Sequence, residues 1–274
     1  MLTSTGEIVA DAARAGAGIG AFNVITLEHA EAIVRGAETA GRAAILQISQ
    51  NAVRYHGALA PIAAATLAVA RAADGPVAVH LDHATEPALV REAVSLGLGS
   101  VMFDASALEY EANVVATAAV VAQCHQAGVW VEAELGEVGG KDGVHAPGAR
   151  TDPSEALAYV EATGVDALAV AVGSSHAMLT RDAALDFDLI GRLRAALPVP
   201  LVLHGSSGVP DDGLRRAVER GIVKVNIGTQ LNKVFSAAVR EQLATNAVDP
   251  RKYLGAARAA VADEVARLLT LLRP

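Results

Sequence analysis

The stretch VAVHLDHAT, residues 77–85, climbs as a near-continuous apolar run and ends in His80, Asp82 and His83. A short run of this kind, without polar alternation, suits a strand buried on both faces, as in a parallel sheet covered by helices. The same form recurs in GIGAFNV (18–24), AAILQIS (43–49), SVMFDAS (100–106), VWVEAELG (129–136), ALAVAVG (167–173), LVLHGSSG (201–208) and VKVNIGT (223–229). Helical patterns lie between them, such as LEHAEAIVRGAETAG (27–41), PALVREAVSLG (87–97), DPSEALAYVEATG (152–164) and PDDGLRRAVERG (210–221). Several open at Asp, Thr or Pro and close at Gly, as helix caps do. Eight such units in 274 residues predict an α/β fold, a (β/α)8 TIM barrel with a short C-terminal helical extension. A doubly wound open sheet is the alternative, but its glycine fingerprint after the first strand is missing. No linker, charge block or low-complexity segment divides the chain, so residues 1–274 are expected to form one domain.

The composition is 52% hydrophobic but only 3% aromatic, so the core must be built of Ala, Val and Leu. No apolar run reaches the ~18 residues of a membrane span, and MLTSTGEIVA does not read as a signal segment. The single cysteine, Cys124, has no partner for an intrachain disulfide, and a reduced, cytoplasmic protein is expected. A net charge of -8 argues against a nucleic-acid partner, which needs a basic footprint. It leaves room for phosphorylated small molecules, held by backbone N–H groups at glycine turns.

Polar residues collect at the C-terminal ends of the expected strands: Ser49, Asp82, His83, Asp104, Glu134, His176, His204 and Asn226. That rim is where barrel active sites are built from several strands at once. His83, His176 and His204 end strands three, six and seven, and three protein ligands with one open position describe a catalytic zinc site. One histidine alone is more often a hydrogen-bonded core or surface residue. Three at equivalent strand ends point to a metal. Asp82 is a proton donor or a structural partner; Asp104 and Glu134 offer a second metal position or orient the ligands. HGSSGVPDD (204–212) places glycines and serines before a helix, a phosphate-binding turn whose plainer reading is a helix cap. The following NIGT (226–229) supplies an amide, a glycine and a hydroxyl beside it.

Together these segments resemble the zinc-dependent class II ketose-bisphosphate aldolases, of the fructose and tagatose type. AFNV, LQIS, VAVHLDH, SVMFDAS, VEAELGEVGG, VGSSHA, LHGSSG, KVNIGT and DPRKYLGAAR occur in the family's order, almost end to end. The resemblance implies zinc on His83, His176 and His204, with Asp104 and Glu134 at a second divalent or a monovalent cation position. It implies Asp82 as the proton donor, with Asn226 also catalytic. It places Ser49 near the aldehyde product and Asn23 among the substrate contacts. Dihydroxyacetone phosphate would lie against Gly205, Ser206 and Ser207, and against Asn226, Ile227, Gly228 and Thr229. The partners implied are a phosphorylated ketose, dihydroxyacetone phosphate, and a second copy or three further copies of the chain, as homodimer or homotetramer.

Departures from the family pattern are informative. Gly228 and Asn232 stand where fructose-type members have an aspartate and an arginine, and a small residue at 228 leans toward the tagatose type. Ala177 replaces a frequent glycine beside His176, weakening the phosphate contact expected there. In GGKDGVHAPGART (139–151), Asp142 stands where a glutamate is usual and becomes the candidate base for the triose half. For the distal phosphate the basic candidates are Arg54, Lys233, Arg251, Lys252 and Arg258, with Arg258 or Arg251 favoured for bidentate geometry.

Three rival readings stay open. A Schiff-base aldolase would use Lys224, the one lysine inside an expected strand; an ion pair with Glu132, of the same parity as Glu134, is the plainer role. A metal-dependent hydrolase would use the same ligands, and a non-catalytic sugar-phosphate-binding barrel would need only the glycine turn. Within VAVHLDHAT, strand alternation sends Asp82 and His83 to opposite faces. Both reach one site only if the strand bends there, and His80 is expected behind them in a packing or supporting role.

Overall fold

The structure, a computed structural model, describes residues 1–135, 150–175 and 180–273. Along the chain run α1 (Thr5–Arg14), β1 (Ile19–Asn23), α2 (Leu27–Ala40), β2 (Ala44–Ser49), α3 (Gln50–His56), α4 (Leu59–Ala72), β3 (Val77–Ala84), α5 (Pro87–Leu96), β4 (Ser100–Phe103), α6 (Tyr110–Gln126) and β5 (Trp130–Glu134). There follow α7 (Pro153–Thr163), β6 (Ala167–Ala169), α8 (Phe187–Ala196), β7 (Leu201–Leu203), a 3-10 turn (Ser206–Gly208), α9 (Asp211–Arg220), β8 (Ile222–Ile227), α10 (Thr229–Leu243) and α11 (Pro250–Leu271). The strands pair in sequence order, all parallel, and β8 returns to β1 to close a barrel.

Period-two alternation sorts each strand between two cores. On β3, Val77, Val79 and Leu81 face outward into the layer shared with the helices, beside Leu46, Ile33 and Leu59. Ala78 faces inward, where Ile8, Val9 and Ala12 of α1 plug the barrel floor against Ile19, Ala21, Ile45 and Val223. Above that floor the interior turns polar: Gln47, His80, Ser100, Glu132 and Lys224 are all buried. The register of β2 on β3, Gln47 beside His80 and Ser49 beside Asp82, carries this polar column up to the rim.

The expected C-terminal extension is α11, a 22-residue helix laid along α2. The contact depends on Gly36, where a Cβ would stand 2.5 Å from the Ala262 carbonyl oxygen. At its far end the Leu272 carbonyl accepts a 2.8 Å bond from the Gly18 N–H, tying the helix to the foot of β1. Among the described residues no helix is long and apolar enough to cross a membrane.

Candidate active site

The bend that VAVHLDHAT required is present. His83 has φ +50°, a left-handed conformation rare for a residue with a side chain, and the β3–β4 register shifts between Leu81 and Ala84. The extra residue breaks the alternation, so Asp82 and His83 both line one cavity of about 460 Å3 at the rim. Backbone strain in a sparsely populated region costs ~1–3 kcal/mol and marks a position held by its surroundings.

His83 and His204 meet across the barrel mouth. The His83 Nε2 and His204 Nδ1 atoms lie 3.0 Å apart. On its other side His83 Nδ1 is 2.9 Å from Asp104 Oδ2, and His204 Nε2 is 2.8 Å from Glu132 Oε1. An ionised carboxylate only accepts, so each imidazole carries its proton toward its carboxylate. The two nitrogens facing each other are then both lone pairs, which repel unless a cation or proton lies between them. This is the carboxylate–histidine arrangement that orients metal ligands and raises their basicity. Asp82, His83 and His204 form one group with the spacing of a metal site; His83, Asp104 and Glu134 form a second. The donor set therefore fits zinc, an ion that favours imidazole nitrogen.

Asp82, only 2% exposed, is held from the neighbouring β2 and from β8 across the barrel interior. Asn226 Nδ2 donates to its Oδ1 at 3.1 Å, and Gln47 Nε2 lies 3.4 Å from its Oδ2. Asn226 is fixed in turn, since its Oδ1 accepts a 2.7 Å bond from Lys224 Nζ, which also donates to Glu132 Oε2 at 2.7 Å. Glu132 thus joins Lys224 on one oxygen to His204 on the other. Lys224 is fully buried and does not line the cavity. His80 lies beneath the site with Nδ1 2.9 Å from Ser100 Oγ. Burial, and then the Lys224 charge, keep its pKa well below the usual imidazole range, so it is a neutral supporting ring.

The Gly205–Ser207 turn forms another part of the wall. Gly205 has φ +66°, and a Cβ there would come within 2.6 Å of the Ser175 backbone, so only glycine allows the two loops to pass. Ser206 Oγ donates to the Asn226 carbonyl, and Ser207 Oγ accepts from Gln230 N at 3.1 Å, joining the turn to β8 and α10. Gly205, Ser206, Ser207, Asn226, Gly228 and Thr229 line the cavity, as do Asn23 and Ser49.

Several expected site residues stand elsewhere. Ile227 has the opposite parity to Asn226, and its side chain is buried in the strand–helix core. Arg258, on α11, pairs with Glu31 of α2 and is not on the cavity wall. Asp104 and Glu134 are not on the cavity wall but stand within metal-site spacing of His83, as expected of a second cation position, with Asp104 also accepting from Ser106 Oγ at 2.6 Å. His176, Ala177 and Asp142 fall outside the described residues. The cavity also recruits residues that sequence reasoning passed over: Ile25, Gln47, Asn51, Ala52, Tyr55 and Ser175. Gln47 had a signal, since it shares the inward parity of Ser49 two positions on.

A family profile described as "Fructose-bisphosphate aldolase class-II" matches residues 3–273. The chain belongs to that family. A relative from Bacillus subtilis (strain 168), named "Probable fructose-bisphosphate aldolase", is 40% identical over 271 residues, covering 96% of this chain and 95% of its own. Among solved structures, the YdjI aldolase from Escherichia coli K12 superposes with a TM-score of 0.86 at 31% identity, covering 99% of this chain and 97% of that one. The fructose-bisphosphate aldolase (Fba) of Campylobacter jejuni, at 21% identity, shares the fold with a TM-score of 0.84 over 99% of this chain and 95% of its own. Against this class II background Gly228 acquires a physical meaning. A Cβ at 228 would sit 3.1 Å from the Asn23 side chain, so the bare glycine leaves Asn23 its place at the wall.

Proposed function

We propose that this protein is a zinc-dependent aldolase that reversibly cleaves a ketose 1,6-bisphosphate, of fructose or tagatose type, to dihydroxyacetone phosphate and an aldehyde. The observation that carries the reading is the pair of imidazoles 3.0 Å apart, each backed by a carboxylate and flanked by Asp82 in a cavity that also holds a serine–glycine turn. His83 and His204, with His176 expected as the third ligand, would hold zinc, which supplies a Lewis acid for the enediolate charge. The Gly205–Ser207 turn and the start of α10 would grip the phosphate of the triose half. Asp82 would take the C4 hydroxyl proton in cleavage and return it in condensation. Asn226 and Gln47, one on each carboxylate oxygen, hold Asp82 in place for that transfer.

A Schiff-base mechanism finds less support, because the Lys224 ammonium is locked to Glu132 and Asn226 behind the wall. A sugar-phosphate sensor would leave the proton-transfer residue without a task, and a simple hydrolase would have no use for both the serine–glycine turn and the NIGT segment beside it.

The test is release of triose phosphate from fructose and tagatose 1,6-bisphosphates, with and without chelator, by wild type, Asp82→Ala and His83→Ala. Asp82→Ala should keep its zinc and most proton exchange on dihydroxyacetone phosphate while losing cleavage by ~10²–10⁴. His83→Ala should lose zinc affinity and both reactions. Full activity in chelator, or equal loss of exchange in both variants with zinc retained in Asp82→Ala, defeats the proposal.

A further inference from the structure

The strained turn at His83 has to be held in place, and the backbones of the neighbouring strands stop short of it. On the β2 side the last registered pair is Ser49 with Asp82, after which the chain leaves the sheet for α3. On the β4 side pairing breaks after Leu81 and resumes at Ala84, while the Ala84 carbonyl accepts a 2.8 Å bond from the Asp104 N–H. A residue at φ +50° without further restraint relaxes toward negative φ. Regular alternation would then send Asp82 and His83 to opposite faces again.

Gln50, the first residue of α3, closes the gap on the β2 side with its side chain. Its Oε1 accepts from the Thr85 N–H at 2.8 Å, and its Nε2 donates to Thr85 Oγ1 at 2.9 Å. Continued strand register would set position 50 against position 83. The carboxamide reaches position 85 instead, and the turn at His83 takes up the difference. A side-chain amide carries an acceptor and a donor in one plane, as a strand backbone does, so it can stand in for the strand that has ended. Ser49 Oγ accepts from the Ala52 N–H at 3.2 Å, which fixes the start of α3 and the point from which Gln50 reaches. Gln50 is only 5% exposed, so its amide is shielded from water. It is not on the cavity wall, and it acts on the site only through the backbone.

We propose that Gln50 is a positioning residue, which holds the turn in which Asp82 and His83 face one site. The inference rests on the reading of His83 as a zinc ligand. Groups that orient a metal ligand directly are worth roughly 10–100-fold in metal affinity. Gln50 works one step further back, so its loss belongs at the lower end of that range.

The experiment measures zinc affinity, by competition with a chromogenic chelator, in wild type, Gln50→Met, Gln50→Glu and Thr85→Val, with folding checked by circular dichroism. Methionine keeps the length of the side chain but neither bond, and should weaken zinc binding about tenfold. Glutamate can accept from both the Thr85 N–H and the Thr85 hydroxyl, and should return to within about threefold of wild type. Thr85→Val keeps the N–H bond alone and should fall between them. At saturating zinc, Gln50→Met should bind dihydroxyacetone phosphate within about twofold of wild type, because the serine–glycine turn is untouched, while kcat for cleavage falls with the displaced Asp82. Unchanged zinc affinity in Gln50→Met, or equal weakening in Gln50→Glu, overturns the assignment. Should Gln50→Met fail to fold, Thr85→Val decides, and zinc affinity equal to wild type in that variant overturns it as well. If wild type itself holds no zinc, the metal reading fails and this inference goes with it.

Discussion

His29 shows how one residue can set a pH limit. It is the third residue of α2, with Nδ1 3.1 Å from Thr26 Oγ1 and its ring stacked on Phe235 at 4.6 Å. Burial, against a smaller opposing pull from Glu28, lowers its pKa to about 4. Above pH 6.5 the ring is neutral in both folded and unfolded chains. Between 6.5 and about 4 the unfolded chain takes up a proton that the folded chain refuses, so stability falls with pH by up to ~1.4 kcal/mol per unit. Glutamine at this position keeps the capping geometry and does not titrate. His29→Gln should therefore lose about 2 kcal/mol less than wild type between pH 7 and pH 5 in urea unfolding. Equal losses would mean that His29 titrates normally. Single residues were also where sequence reading reached its limit. His83 was legible as a rim residue, but its φ of +50° was visible only as a demand that the strand bend. The pairing of Arg258 with Glu31 was not legible, because 227 positions is a distance no local pattern spans.

At the scale of elements, the eight strands were legible because helices on one side and the barrel interior on the other make them apolar throughout. Glu132 and Gln47 were less so, since burial of a polar side chain depends on what faces it from other strands. The α2–α11 crossing was invisible for the same reason: Gly36 looks like a helix defect until Val265 and the Ala262 carbonyl are seen against it. Alanine there would set a Cβ 2.5 Å from that oxygen and 2.7 Å from Val265 Cβ. Gly36→Ala should destabilise the protein by ~1–3 kcal/mol despite alanine's better helix propensity. Thermal unfolding reads this directly, and a stabilised variant would show that the helices separate without cost.

At the scale of the whole molecule, the Glu132–Lys224 pair is the largest electrostatic commitment in the barrel interior, with both side chains fully buried 92 positions apart. Lys224→Met strands a carboxylate there and should cost ~3–5 kcal/mol, whereas adding Glu132→Gln should recover much of it. Urea unfolding of the two variants distinguishes them. A Lys224→Met protein of normal stability but without cleavage, together with borohydride trapping of substrate on wild type, would revive the Schiff-base mechanism. The same pair divides the molecule along another line. Glu132, His204, Lys224, the serine turn and Asn226 all belong to β5–β8 and their loops, while Asn23, Ser49, Asp82 and His83 belong to β1–β4. On the reading proposed here, one half-barrel grips the constant triose phosphate and the other meets the variable aldehyde. A chimera that exchanges residues 1–126, together with Gly228 and Asn232 across the cavity, for those of a relative should therefore inherit a new partner for condensation while keeping its affinity for dihydroxyacetone phosphate.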